Sequence, residues 1–524
     1  MPSAERLEAR SPVDGSLLGT VVATRPETVP AAIATAAEVQ PLWAALRLRD
    51  RARYLRRAAQ AVIDELDELS TLLVREQGRP CAEVLTQELL PSIDTLQWLA
   101  EQGPRVLGPQ RIGLSRTVFP TKRARLTFEP LGVTAVLTPG AEPWHAPLGD
   151  VAVALLGGNG VVLTPSSQAG LAAERIARVF ARAGLPEGLL QIVHGGADTA
   201  RALIEGPVAQ VVFTGSAEAG RAVGEICARR YKRTTLEAGG HDALLVLRGA
   251  NVDRAIRGAA WGAFANAGQS PGSVKRAFVG PEAVQRFTDG VIEAARALRV
   301  GDPARATTDV GPLLTVERLD ALRALVDEAV DAGATLACGG PLEREAGAWW
   351  APTVLTDVPP DVRLWREAAP GPVLAVAPVS GEREAIARAN EGEAGLGASV
   401  WIGDLHQGRR IAHELRAGMV WLNDHLPSRT APSLPWGGVG SSGVGRSRGA
   451  QALHAAVEPK LVTWDPTAAR PVRWHPYDQA LVEAGRAVAR LRSARDRDRE
   501  RALRSGAAPL ARVAVRTLRA ARRR

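Results

Sequence analysis

At 524 residues, 46% hydrophobic and 23% charged, the chain is long enough for two or three domains and has the balance of a globular protein. No window approaches twenty apolar residues in a row, which excludes an obvious membrane-spanning helix. Three widely spaced cysteines (Cys81, Cys227, Cys338) exclude a disulfide framework and a CxxC metal site. The net charge of +9 is concentrated: residues 466–524 hold sixteen arginines and five acids, whereas residues 1–465 hold 49 basic and 51 acidic residues.

The chain opens without a basic segment followed by an apolar one, so no secretory leader is read and the expected compartment is the cytoplasm. Apolar residues then recur at helical spacing from 29 to 68, through Ile33, Ala36, Val39, Trp43 and Leu46, and again Leu55, Ala59, Val62 and Leu66. Short apolar runs follow at 133–137, 160–163, 190–193 and 210–213, with helical stretches at 148–157, 170–183 and 197–205 between them. Strands and helices alternating at this spacing predict an α/β fold built on a doubly wound parallel sheet. A second alternating block runs from about 243 to 422, and the chain has no internal repeat.

Four segments carry candidate chemistry. The run Phe213-Thr-Gly-Ser216 ends a strand and Ala217-Glu-Ala-Gly220 opens a helix. This turn reads either as a plain junction capped by Ser216 or as a phosphate cradle of helix N-terminal N–H groups. Glu237, followed by Gly239-Gly240, reads as a surface carboxylate before a flexible turn or as a general base. The third segment runs from Phe264 to Arg276, and the fourth, 435–446, is dense in glycine.

In order and spacing these segments resemble the aldehyde dehydrogenase superfamily. The resemblance starts at Ser11-Pro-Val-Asp-Gly-Ser-Leu-Leu-Gly19 and Glu76-Gln-Gly-Arg-Pro80. It continues through Glu129-Pro-Leu-Gly-Val133, Gly158-Asn159, Glu237, Gly268-Gln269 and Gly371-Pro372, and covers about residues 8–464. It implies a Rossmann-like cofactor domain (1–112 and 129–239), an α/β domain of the catalytic type (240–432), oligomerisation strands (113–128 and 450–465), NAD or NADP as cofactor, and a homo-oligomer. The family reaction is attack of a cysteine thiol on an aldehyde, hydride transfer to NAD(P), and hydrolysis assisted by a glutamate, here Glu237.

Where the family carries the nucleophilic cysteine, this chain has Pro271, which also lacks the backbone N–H that the family uses in its oxyanion hole. The asparagine that completes that hole is Ala141 in the register counted back from Asn159, or His145 in the register set by Pro143-Trp-His-Ala-Pro147. At the family's cofactor positions stand Thr164 and Ser167 (adenine ribose), Gly215, Ser216 and Gly220 (pyrophosphate), and Ala368 and Pro370 (nicotinamide ribose). Flanking serines Ser270 and Ser273 read as loop residues, and no histidine pattern suggests a metal. The expected outcome is a kept scaffold with impaired catalysis and a scaffolding or ligand-binding role, against an NAD(P)-dependent oxidoreductase using non-standard groups.

The tail beyond residue 465 reads as a basic amphipathic, partly disordered extension. Leu481, Ala484, Val488 and Leu491 form one stripe, a Ser-Gly-Ala-Ala-Pro break follows at 505–509, and Leu510, Val513, Ala514 and Leu518 form a second. Such a tail suits an anionic membrane surface or an acidic protein. Nucleic acid is disfavoured because aromatic residues stop at Tyr477.

Overall fold

Strands that are buried on both faces read as unbroken apolar runs, and that is how the first sheet forms. Val133–Leu137 and Gly160–Thr164 are buried along their whole length. With Leu190–Ile192, Gln210–Gly215 and Arg233–Ala238 they make a parallel array, closed at one edge by the short antiparallel strand Gly443–Val444. The second sheet has seven strands. In spatial order they are Thr335–Pro341, Trp350–Thr356, Val373–Pro378, Val274–Val279, Asp242–Val246, Gly397–Trp401 and Met419–Leu422, and only the first pairs antiparallel. The computed structural model describes residues 5–115, 119, 121–426, 430–467, 471 and 474–521.

Backbone contacts divide the chain into two units: one runs to Leu107 and resumes over Glu129–Glu458, and the other comprises Gly108–Phe128 with Pro459–Arg524. The larger unit holds both large sheets. Its helix His145–Gly157 is buried on all sides, as expected of a helix apolar around its circumference. The smaller unit holds strands Gln110–Ile112, most of Arg123–Pro130 and most of Val457–Trp464, which form a three-stranded sheet, and the helices Gln479–Leu491 and Asp496–Ala521.

The tail therefore departs from the sequence expectation. In place of a break at 505–509, one helix runs through Ser505, Gly506 and Pro509. The reason is packing. Ala484 and Ala487 of the first helix and Ala502 of the second are buried, and a Cβ on Gly506 would stand 2.3 Å from that of Ala487. Small residues let the two backbones approach closely, and that burial outweighs the poor helix propensity of Gly and Pro. Arg522–Arg524 and the side chains of Arg516, Leu518 and Arg519 lie outside the described residues.

Candidate active site

The helix Val252–Phe264 ends in a loop of unusual backbone. Asn266 (φ 53°), Ala267 (φ 49°) and Gly268 (φ 66°) are consecutive left-handed residues. Asparagine tolerates that region and glycine is free in it, but an alanine there costs about 1–2 kcal/mol. Gly268 is required for a second reason, since a Cβ would sit 2.3 Å from the carbonyl oxygen of Gly371.

The surroundings over-determine the loop, as such strain demands. The Asn266 N–H donates to the Glu83 carboxylate (2.8 and 3.1 Å), and its side-chain amide donates to Ala141 O (3.0 Å) and Ser270 Oγ (3.4 Å). Lys275 Nζ donates to the carbonyls of Gly268 (2.6 Å) and Gly371 (2.9 Å), tying the loop to the next one. Burial pushes the Lys275 ammonium down to about 7, against the pull of Asp242, whose own carboxyl burial drives well above its usual range.

Ser270 to Ser273 form a turn closed by the Ser273 N–H on Ser270 O (3.1 Å), with Pro271 at its second position. Proline suits that position because the turn leaves its N–H unused. The Pro271 carbonyl accepts the N–H of Gly240 (3.1 Å), which brings the segment after Glu237 against the turn. On its other side His425 Nε2 lies 3.0 Å from Gly272 O. Burial pushes His425 down to about 4, so it is the neutral ring that donates to this carbonyl. Trp421 packs edge-on to His425 with ring centroids 5.0 Å apart, and Trp436 lies 6.5 Å from Trp421.

Glu237 is buried at the end of its strand. One carboxylate oxygen accepts the Ser447 N–H (3.2 Å) and the other lies 3.5 Å from the Thr214 hydroxyl that donates to it. The next residue, Arg448, buries a guanidinium against Asp150 (3.1 Å) and His145 O (2.9 Å), directly over Gly149.

The two candidate registers around 141 and 145 are placed apart. Ala141 presents its carbonyl to Asn266 and so stands at the Pro271 loop. His145 starts its helix with its N–H on the Glu88 carboxylate (2.7 Å) and Nδ1 3.2 Å from Ser92 Oγ. Glu88 in turn meets Arg79 (2.5 Å), which also holds Glu83 (3.2 Å) and Gln87 (2.9 Å). Burial pushes the Glu88 carboxyl up to about 7 in spite of Arg79.

At the first sheet, Ser216 caps the helix Ala217–Arg229, its Oγ accepting the Ala219 N–H (3.2 Å). The ring of Phe213 lies where a Cβ on Gly215 would be, and also beneath Gly220. The Thr164 hydroxyl, at the end of its strand, is buried with no hydrogen-bond partner among the described residues, and Ser167 is exposed. Ala368 is exposed and Pro370 half-buried, both just ahead of Gly371.

Thus Pro271, Ala141 and the Gly371 loop are joined through Asn266, Ser270, Gly268 and Lys275, and Gly240, three residues after Glu237, meets Pro271, whereas the Glu237 carboxylate is held by Ser447 and Thr214 and His145 belongs to the Arg79–Glu88 cluster. Sequence reasoning passed over Asn266, Lys275, Glu83, Arg79 and His425. For Lys275 a signal existed: it is one of only four lysines in a chain with 65 basic residues.

The geometry has counterparts among known proteins. A family model, the Aldehyde dehydrogenase family, matches residues 1–462. A 4,4'-diapolycopene aldehyde oxidase of Methylomonas sp is 35% identical over 447 residues, 85% of this chain and 83% of that one. A succinate-semialdehyde dehydrogenase [NADP(+)] of Deinococcus radiodurans is 34% identical over 468 residues, 88% and 96% of the two chains. Among solved structures, PnpE from Pseudomonas sp. WBC-3 superimposes with a TM-score of 0.85 at 29% identity, covering 90% of this chain and 96% of its own. PnpE in complex with nicotinamide adenine dinucleotide gives a TM-score of 0.84 at 30% identity, over 88% and 94%. With the α/β architecture shared along most of its length, the chain belongs to the aldehyde dehydrogenase family.

Proposed function

We propose that this chain keeps the aldehyde dehydrogenase scaffold without its thiol-dependent oxidation, and serves as a scaffold or as a binder of an apolar carbonyl ligand. The observation that carries the reading is the Ser270–Ser273 turn. Its second residue is Pro271, which supplies neither a thiol nor an N–H. None of the three cysteines is in this turn: Cys81 opens the helical segment whose Glu83 meets Asn266, Cys227 lies buried in the Ala217–Arg229 helix, and Cys338 is in the edge strand of the second sheet. Loss of a nucleophile removes on the order of 10⁴–10⁶ in rate, and loss of one oxyanion donor about 10²–10³. Neither neighbouring serine has a base within the hydrogen bonds described, since Ser270 Oγ accepts from the amide of Asn266.

Cofactor residues fit NAD(P) in part. The Gly215–Ala217 turn offers the N–H groups and positive end of a 13-residue helix to a pyrophosphate, a contact made by main chain. The ribose positions Thr164, Ser167, Ala368 and Pro370 offer one buried hydroxyl and no charge. Bound NAD(P) would supply a hydride acceptor, and this chain's share would be to hold its phosphates. The apolar candidate is the kind of ligand named for the Methylomonas relative, a 4,4'-diapolycopene aldehyde, with Trp421 and His425 as the aromatic groups nearest the turn. Assembly into a homo-oligomer in the cytoplasm completes the proposal.

The test is NAD(P)-linked oxidation of short, acidic, cationic and long polyene aldehydes by the purified chain. Turnover below about 0.1 s⁻¹ with all of them is expected, far under typical enzyme rates. A faster rate with any of them would establish the NAD(P)-dependent oxidoreductase with non-standard groups instead.

A further inference from the structure

The smaller unit, Gly108–Phe128 with Pro459–Arg524, carries 22 basic and six acidic residues, a charge of +16, while the remainder of the chain carries 43 and 50, a charge of −7. We propose that the helical hairpin of this unit is a docking surface for an anionic lipid bilayer. The proposal is independent of the state of the active site.

Three faces of the Asp496–Ala521 helix support it. Ala502, Gly506 and Pro509 form the buried seam against the first helix. Leu503, Ala507 and Ala514 follow at steps of four and seven, one turn-register beside the seam, and all are exposed, Leu503 by 63%. Arg497, Arg501 and Arg504 repeat at steps of four and three on the other side and are exposed as well. Four of the five acids beyond residue 465 are committed locally. Asp478 caps the first helix, Glu483 meets Arg512 (3.6 Å), Asp496 pairs with Arg499, and Asp498 accepts the Ser493 hydroxyl (2.9 Å). Glu500 stands one turn from Arg497 and one from Arg504 on the same helix, and the unit still keeps its excess of 22 basic over six acidic residues.

Apolar and cationic stripes side by side on one helix are the pattern of an interfacial helix. Ahead of the hairpin, Trp474 and Tyr477 are 62% and 63% exposed, in a chain that is only 4% aromatic. Rings of this kind sit at headgroup level in bilayers. An acidic peptide or a nucleic acid would satisfy the arginines and leave Leu503, Ala507, Trp474 and Tyr477 in water, whereas a bilayer surface takes both kinds of group.

The experiment is co-sedimentation of the full chain with vesicles of phosphatidylcholine, alone or doped with phosphatidylglycerol. At least about tenfold stronger partition onto the anionic vesicles is expected, weakening as salt shortens the Debye length from about 10 to 3 Å. The variant R497E/R501E/R504E should lose about 100-fold or more in partition with its helix signal and elution volume unchanged. Leu503→Gln should lose severalfold on vesicles and nothing in retention on an immobilised poly-glutamate resin. Equal partition onto both vesicle types, no partition at all, or an unaffected arginine variant would each overturn the proposal. Release of the bound chain by soluble poly-glutamate at matched charge would overturn it in favour of an acidic protein partner.

Discussion

Two turns in the larger unit show how differently a site survives sequence change. The turn from Phe213 to Gly220 works through main chain: a strand ends, a serine caps a helix, and N–H groups point outward. Any small residues with the right backbone preserve that. On the proposed reading the turn from Phe264 to Ser273 works through particular atoms, a thiol and two donors; Pro271 supplies neither thiol nor N–H, while its carbonyl still accepts the Gly240 N–H. The elaborate support of the second turn remains, from Glu83, Asn266 and Lys275.

The sharpest way to break this comparison is to restore the missing atoms. Pro271→Cys supplies a thiol and an N–H at once, and Ala141→Asn supplies a side-chain amide at the residue whose carbonyl meets Asn266. If only those atoms are missing, the double variant should gain about 10²–10⁴ in aldehyde oxidation over the parent chain, read as NAD(P)H formation with a stoichiometric burst. No gain would put the defect at the ribose positions as well. Alkylation of the new thiol should proceed faster than that of Cys227, whose thiol burial pushes up.

A smaller effect sharpens the role of the support. Lys275→Met keeps most of the volume but leaves the Gly268 and Gly371 carbonyls without their donor. A loss of about 2–4 kcal/mol in denaturant unfolding is expected. Its pH dependence identifies the cause. The Lys275 ammonium titrates at about 7 in the folded chain and near 10.5 in the unfolded one, so between those values the unfolded chain holds a proton that the folded one lacks. Stability then rises with pH across that window. Glu76 and Glu88, both pushed up to about 7 by burial, act on the other side. Their contribution is full below about 4.5 and lost as pH rises to 7. Lys275→Met should flatten the rise above pH 7 and leave the fall below it; the groups facing Lys275 are Asp242 and Arg318. A rise that persists in the variant would assign it elsewhere.

How much of this was legible in the sequence follows from where each signal resides. Strands 133–137 and 160–164 could be read because burial on both faces makes their runs unbroken. The tail's second helix was misplaced at 505–509 because propensity speaks for a break there, while the burial of Gly506 and Pro509 against the first helix is a tertiary fact. Pro271 stood out by its position in an ordered set of motifs. Lys275 did not, since its partners are carbonyls 7 and 96 residues away, and a carbonyl has no residue type to recognise. The letters likewise left both Ala141 and His145 open; in the structure Ala141 O meets Asn266 and His145 Nδ1 lies against Ser92.

The smallest effect tests the first turn. Ser216 Oγ is engaged by the Ala219 N–H, so its role is that of a cap. Ser216→Ala should then lower stability by about 1 kcal/mol, the usual worth of a serine cap. Affinity for NAD or NADP by calorimetry should stay within about twofold, because the N–H groups and the dipole that would meet a phosphate belong to the main chain. A tenfold loss of affinity, about 1.4 kcal/mol, would mean that the hydroxyl leaves its cap to hold a phosphate. In that case the first turn too depends on a side chain, and its survival here reflects a residue that was kept and not a backbone that is indifferent to replacement.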